Sequence, residues 1–338
     1  MRPTRPSAGT SRAVSDAKAA LRDLSSTWKP RPWRCRCSDS GPFHRPFPSG
    51  CRSGSQHMMR ENSRMAWYEK GMESEMQPES PPTAIVSGGS RGMGLAVAQQ
   101  FAERGARVAI LGRSAEALGT ARQSLQSLGS SDVLALTVDV TDEKSVAEAF
   151  ATVGEAWSEV NVLVNAVGPS GVGRFDDIGD EVWRAAFEEG VMSAVHCIRY
   201  GLPLLRAAEW GRIVNLTALS TKHQTSRLIA YTTAKSALAS LTKNLARTLA
   251  PEGILVNAVA PGAVLTEPIR GAVRSVGGDP DDPEDAYRAM ADRFGSAIDL
   301  QRVGLPHEVA EVVLFCASRR NTYMTGANLN VDGGSDFF

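Results

Sequence analysis

The stretch Thr83-Ala-Ile-Val-Ser87-Gly-Gly-Ser-Arg-Gly-Met-Gly94 decides the fold of this chain. Its short apolar run is typical of a buried strand, and its glycine cluster is typical of a tight turn. The following residues, 93–104, have the apolar spacing of a helix. A glycine turn between a strand and a helix brings free backbone N–H groups and the positive end of the helix dipole to a phosphate. We therefore expect a nucleotide site at this turn.

The alternation of strands and helices continues towards the C terminus. Further strands are predicted at 107–111, 133–138, 160–165, 212–216, 255–260 and 328–331. Further helices are predicted at 115–128, 143–157, 181–205, 230–249 and 307–317, and Pro203 should bend or end the helix that contains it. Continuously apolar strands alternating with helices predict an α/β fold with a doubly wound parallel sheet, the Rossmann fold, in a single domain over residues 81–338. Ligands of such sheets bind at the carboxyl ends of the strands.

The first 80 residues have a different composition from the rest of the chain. Residues 1–75 hold 14 Lys/Arg and 7 Asp/Glu, a net charge of +7, which leaves 23 Lys/Arg and 30 Asp/Glu, a net charge of −7, on residues 76–338. Few aliphatic residues follow Leu24, so we expect residues 1–80 to be a disordered basic extension. Two alternatives stay open: a targeting segment with a helical face at 12–25, or translation from Met58, Met65, Met72 or Met76.

Composition also argues against several classes of partner. A negatively charged body repels polyphosphates, so we expect no nucleic-acid partner. The sequence has no uncharged apolar run of about 18 residues, so we expect no membrane span. Of five cysteines, Cys197 and Cys316 are predicted to be buried, and the Cys35-x-Cys37 spacing is too short for the usual zinc ligand pair. A reducing compartment, the cytoplasm, is the expected location.

The spacing of the glycine turn resembles the Thr-Gly-x-x-x-Gly-x-Gly signature of the short-chain dehydrogenase/reductase family, with Ser87 in the threonine place. The resemblance covers roughly residues 82–335 and includes Asp139-Val140, Asn165-Ala-Val-Gly168, Tyr231-x-x-x-Lys235, Pro261-Gly-x-x-x-Thr266 and Val331-Asp-Gly-Gly334. The chain most resembles the branch that contains 3-oxoacyl carrier-protein reductases. The resemblance implies hydride transfer between a nicotinamide cofactor and a carbonyl or secondary alcohol. It also implies a small-molecule substrate and a homotetramer or homodimer packed through the helices at 181–205 and 230–249.

The cofactor is predicted from the residues that follow the second strand. Leu111-Gly-Arg-Ser114 offers no acid for a ribose 2′-hydroxyl, whereas Arg113 and Arg91 can bracket a 2′-phosphate, unless both are simply solvated surface arginines. We therefore predict NADP(H). By resemblance, Asp139 and Val140 flank the adenine and Thr266 meets the nicotinamide carboxamide. The whole predicted cofactor set is Ser87, Gly88, Ser90, Arg91, Gly92, Met93, Gly94, Arg113, Asp139, Val140, Asn165, Tyr231, Lys235, Pro261, Gly262, Val264 and Thr266.

Tyr231 and Lys235 are the predicted catalytic pair. Residues i and i+4 of a helix share a face, so the ammonium can lie beside the phenol. A free phenol has a pKa near ~10, and a neighbouring ammonium should lower it. The resemblance makes Tyr231 the acid–base and makes Lys235 both the residue that tunes it and the ribose anchor.

Two family positions are changed in this chain. The usual catalytic serine, thirteen residues before the tyrosine, is Ala218, and the usual asparagine of the long helix is Gly190. Ser220 is our predicted replacement, because 218 and 220 point to the same side of an extended chain while Thr217 points to the other. Both hydroxyls have the alternative role of capping and loop hydrogen bonding.

These changes keep other functions open: a cofactor-binding protein with little or no catalysis, or a reductase of carbon–carbon double bonds. His223 is predicted to be either a surface loop residue or a side chain that faces the cleft. Residues 266–301 are expected to form a lid over the substrate, although their acidic part is also compatible with a solvated loop.

Overall fold

The structure is a computed structural model, and it describes residues 81–130, 132–169, 171–222, 224–294 and 297–335, without the side chains of 292–294. The predictions for residues 1–80 and for His223 lie outside this range. Its sheet contains the strands β1 (Thr83–Ser87), β2 (Arg107–Gly112), β3 (Val133–Thr137), β4 (Val162–Asn165), β5 (Gly211–Leu216), β6 (Ile254–Pro261) and β7 (Asn328–Val331).

All neighbouring strands pair in parallel, in the order β3-β2-β1-β4-β5-β6-β7. The predicted doubly wound sheet is thereby confirmed. Because β1 pairs with both β2 and β4, the direction of winding reverses at β1, and the carboxyl ends of β1 and β4 flank the expected ligand crevice.

Helices cover both faces of the sheet. They are α1 (Gly92–Glu103), α2 (Ala115–Ser127), α3 (Glu143–Trp157), α4 (Asp180–Phe187), α5 (Ser193–Ala207), α6 (Ile229–Leu249), α7 (Glu267–Ser275), α8 (Pro283–Phe294) and α9 (Pro306–Ala317). One face packs against α1, α2 and α9, and the other against α3, α5 and α6. Cys197 and Cys316 are buried in these two layers, as predicted. In the part of the chain that the structure describes, no helix combines the length and apolarity that a membrane crossing requires.

The single helix predicted at 181–205 is two helices joined by a π-helical turn, Glu188–Met192. The helix does not end at Pro203, because α5 continues beyond it to Ala207. A π turn inserts an extra residue into the helical ladder, and such turns often lie at functional sites.

The segment predicted as a lid contains α7 and α8 and has a small core of its own, formed by Leu265, Val273, Ala286, Ile298 and Val303. Its acidic stretch does more than contact solvent. Asp281 pairs with Arg270 at 2.9 Å, and the Asp282 carboxylate accepts a hydrogen bond from the Glu284 N–H at the start of α8.

Candidate active site

The glycine turn has the backbone that its sequence requires. Gly88 and Gly92 have φ of +74° and +56°, a region that favours glycine. A Cβ on Gly94 would lie 2.2 Å from the Gly88 carbonyl oxygen, so the start of α1 packs directly on the turn. No side chain caps α1 at Arg91. The first N–H groups of this helix therefore lack a side-chain acceptor at the cap, as a phosphate site requires.

The groups proposed to read the 2′-phosphate lie at the end of β2. Ser90 of the turn lies beside Gly112, since its Oγ is 3.0 Å from the position of a Cβ there. Arg91 and Arg113 are both exposed, and within the described residues neither forms an ion pair. This leaves two guanidinium groups that can each accept a phosphate without breaking an existing contact.

The adenine end of the crevice is held by a hydrogen-bonded turn after β3. The Asp139 carboxylate accepts hydrogen bonds from the Thr141 hydroxyl at 2.7 Å and the Thr141 N–H at 3.0 Å. These bonds and the charge of Arg113 lower the pKa of Asp139. The Val140 carbonyl lies 3.3 Å from Nδ1 of His196, a buried α5 residue that the sequence analysis did not single out.

Asn165 is the last residue of β4, and one end of its amide is used inside the fold. Its Nδ2 donates to Oδ1 of Asn215 at 2.8 Å, and its Oδ1 is buried without a partner in the described part of the chain. The donor group of Asn165 therefore links β4 to β5.

Tyr231 and Lys235 lie in the first two turns of α6. The ammonium of Lys235 is 2 % exposed and donates to the Leu216 carbonyl at 2.6 Å and the Val167 carbonyl at 3.4 Å. Leu216 ends β5 and Val167 follows β4, so this cation sits at the carboxyl ends of both strands. Backbone acceptors have no residue signature, which is why the sequence could not reveal them.

Burial sets the protonation of this pair. It lowers the pKa of Lys235 to about 8 and raises the pKa of Tyr231 to about 12. The shift of the phenol is opposite to our expectation, because desolvation of the phenolate dominates in the unliganded fold. The phenol therefore carries its proton at neutral pH, and this is the form that can give a proton to a substrate oxygen.

The place of the missing asparagine is filled by close packing. Gly190 lies in the π turn, and a Cβ there would be 3.0 Å from Cβ of Ala234 and 3.1 Å from Cγ of Pro169. These contacts are tighter than ordinary van der Waals distance, so any larger side chain at 190 requires α6 or the Pro169 loop to move.

The two hydroxyls near Ala218 differ in what they contact. Thr217 Oγ1 lies 3.1 Å from the Val259 carbonyl and 2.7 Å from Oδ1 of Asn328, so it is engaged with β6 and β7. Ser220 lies in a 3-10 turn, Leu219–Thr221, that contacts α6, and its buried Oγ has no hydrogen-bond partner within the described residues. Of the two, Ser220 is the hydroxyl left available.

The segment after β6 reaches across to the glycine turn. A Cβ on Gly92 would lie 3.7 Å from Cγ2 of Thr266, and a Cβ on Gly262 would lie 2.9 Å from Cα of Asp332. Pro261 ends β6 and Val264 is buried. Thr266 therefore lies beside the glycine turn, whereas Gly262 packs on Asp332.

Other members of the predicted set act as internal support. Met93 packs against the core on the α1 side of the sheet. The Ser87 hydroxyl is hydrogen-bonded with the buried thiol of Cys197, whose pKa burial raises to about 12.

A family model described as enoyl-(acyl carrier protein) reductase matches residues 88–336. The chain is 30 % identical, over 76 % of its length and 95 % of the relative's, to 2,3-dihydroxy-2,3-dihydro-p-cumate dehydrogenase of Pseudomonas putida. The L-sorbose reductase of Gluconobacter frateurii, solved with NADPH and L-sorbose, has a TM-score of 0.71 at 28 % identity and covers 77 % of this chain and 98 % of its own. An NADPH-bound short-chain oxidoreductase of Pseudomonas aeruginosa, described as containing an atypical catalytic center, also has a TM-score of 0.71 at 28 % identity, covering 76 % and 97 %.

These matches agree with the parallel, doubly wound sheet described above. The chain belongs to the short-chain dehydrogenase/reductase family.

Proposed function

We propose that this protein is an NADP(H)-dependent oxidoreductase that transfers hydride between the nicotinamide and a carbonyl or secondary alcohol, with Tyr231 as the acid–base. One observation carries the proposal: the Lys235 ammonium is buried on the Leu216 carbonyl, one helical turn from a phenol that burial keeps protonated. NADPH is bound in two solved relatives, and the exposed Arg91 and Arg113 supply charge for its 2′-phosphate.

Different residues of the crevice are assigned to different parts of the NADP(H) molecule. The glycine turn and the start of α1 would hold the diphosphate of the cofactor, Asp139 and Val140 would hold the adenine, and Lys235 would hold the ribose. Thr266 would hold the carboxamide. The cofactor supplies the hydride when it is bound.

The chain's own side chains handle the substrate oxygen. Tyr231 donates its proton to the carbonyl oxygen during reduction and takes one back during oxidation. The free hydroxyl of Ser220 orients that oxygen in place of the serine that Ala218 lacks.

A second candidate is reduction of a carbon–carbon double bond. The description of the matching family model and the alanine at 218 favour it, since the serine matters less in that reaction. A third, NADP(H) binding with little turnover, is motivated by Ala218 and Gly190 together.

NADPH oxidation by the full chain with a panel of ketones, acyl thioesters and enones tests these candidates. We expect turnover with a ketone or a 3-oxoacyl thioester, and a loss of about 100- to 10,000-fold in kcat for Tyr231→Phe, with little change in NADPH affinity. Turnover of enones alone selects the second candidate, and binding without turnover selects the third. An unchanged ketone rate in Tyr231→Phe contradicts the catalytic assignment.

We further assign a small-molecule substrate of 3-oxoacyl or simple ketone type, a cytoplasmic location, and a homodimer or homotetramer packed through α4, α5 and α6. The family resemblance supports this oligomeric state. A measurement of the molecular mass of the protein in solution tests it.

A further inference from the structure

A series of buried polar side chains, linked by hydrogen bonds, connects β4, β5 and α6. Asn165 Nδ2 donates to Asn215 Oδ1 at 2.8 Å, Asn215 Nδ2 donates to Thr242 Oγ1 at 2.9 Å, and Thr242 Oγ1 donates to the Leu238 carbonyl at 2.9 Å. These three side chains are 3 %, 0 % and 1 % exposed. Packing alone would favour apolar residues at such positions, because buried amides and hydroxyls add stability only when they are hydrogen-bonded.

This series of side chains neighbours, in sequence, the groups that hold the Lys235 ammonium. Leu216, whose carbonyl accepts from Nζ at 2.6 Å, follows Asn215, and Val167, whose carbonyl lies at 3.4 Å, is two residues beyond Asn165. Thr242 is seven residues, about two turns, after Lys235 on the same side of α6. These hydrogen bonds thus connect β4, β5 and α6, the three elements that position the Lys235 ammonium.

We propose that Asn215 and Thr242 are positioning residues that fix the height of α6 against β5, and through it the place of Lys235 and Tyr231 in the crevice. The inference rests on the proposed function for its effect on turnover. Apolar contacts between a helix and a sheet are non-directional and permit small slides, whereas a hydrogen bond fixes distance and angle. A misplacement of about 1 Å can cost about 100-fold in rate, so a small slide of α6 has a measurable effect.

Replacing Thr242 tests this inference. Thr242→Val keeps the shape and removes the hydroxyl, and Thr242→Ser keeps the hydroxyl and removes a methyl group. Thr248→Val is the matched control, because the Thr248 hydroxyl also donates four residues back along α6, to the Asn244 carbonyl at 3.0 Å, but lies on the exposed side. The readouts are the dissociation constant of NADPH, kcat and KM separately, and the melting temperature.

We expect Thr242→Val to raise the NADPH dissociation constant about fivefold, the factor that one lost hydrogen bond typically gives, and to lower kcat about tenfold, with KM within twofold. Thr242→Ser and Thr248→Val should stay within twofold of the wild type. If Thr242→Val does not fold, Thr242→Ala takes its place.

Two results would overturn the inference: NADPH affinity and kcat unchanged in Thr242→Val, or equal damage in Thr242→Ser, which would make the methyl contact responsible. If the wild type turns over no carbonyl substrate, the proposed function is refuted but this inference is not. The NADPH affinities of the same variants still decide whether the hydrogen-bonded side chains position Lys235.

Discussion

We propose that Ser220 orients the substrate oxygen in place of the serine that is absent at Ala218. Ser220 has a buried hydroxyl without a partner in the described part of the chain, and Ala218 occupies the usual place of the family's serine. Loss of one such donor typically costs about 2–4 kcal/mol of transition-state stabilisation, so we expect Ser220→Ala to lower kcat for carbonyl reduction by about 30- to 1000-fold. Ser240→Ala, an exposed site on α6, is the control. Full activity in Ser220→Ala would transfer this role to another group, and Ala218→Ser shows whether position 218 still reaches the substrate.

We expect the buried Lys235 to make NADPH binding depend on pH. Its pKa in the unliganded protein is lowered to about 8 by burial, so the ammonium loses its proton as pH rises through that value. Because the charged form is the better ribose anchor, we expect the NADPH dissociation constant to be flat at lower pH and to rise above about pH 8. Titrations from about pH 6.5 to about pH 9.5 check this, with Lys235→Arg as a variant whose charge does not titrate there. A wild-type affinity that is independent of pH contradicts the assignment of Lys235.

At the scale of elements, one ion pair links the stretch that follows residues 266–301 to α9. The Arg302 guanidinium donates to both carboxylate oxygens of Glu308 at 2.9 and 2.7 Å, and the Leu305 N–H donates to the same carboxylate at 2.7 Å. The bond from Arg302 is the main reason why the pKa of Glu308 falls to about 2 from an ordinary value of 4.5. The pair therefore contributes stability above about pH 4.5 that is lost as pH falls towards 2.

We expect Glu308→Gln to lower the free energy of unfolding by about 1 kcal/mol at neutral pH, a modest figure because both side chains are about one-third exposed and screened by solvent. The variant should also lose less stability than the wild type on acidification. Denaturant unfolding at several pH values measures both effects. Glu311→Gln, on the exposed side of α9, is the control, and equal acid sensitivity of Glu308→Gln and wild type would contradict the assignment.

At the scale of the whole molecule, we expect the catalytic domain to be independent of residues 1–75. All strands and buried clusters of the described part of the chain lie between Thr83 and residue 335, and the family match begins at residue 88. A chain that starts at Met76 should keep its melting temperature within about 2 °C and its NADPH affinity within about twofold. A large loss of either would show that the basic extension, with its net charge of +7 from 14 Lys/Arg and 7 Asp/Glu, supports the domain.

The sequence by itself determined the doubly wound sheet, the glycine turn and the Tyr231/Lys235 pair. These features depend on local patterns: apolar runs, a strand–glycine–helix junction and a four-residue spacing within one helix. The boundaries of α6, predicted at 230–249 and found at Ile229–Leu249, show how far a local pattern reaches.

The tertiary structure alone decided what each buried polar group contacts. Three contacts depend on how distant elements are aligned, which no local pattern encodes. They are the contact of Thr217 with Asn328, the hydrogen bond from Asn165 to Asn215, and the hydrogen bond from Lys235 to the Leu216 carbonyl. The depth of burial likewise set the pKa of Tyr231, and the close packing of Gly190 on Ala234 is a contact between residues far apart in the sequence.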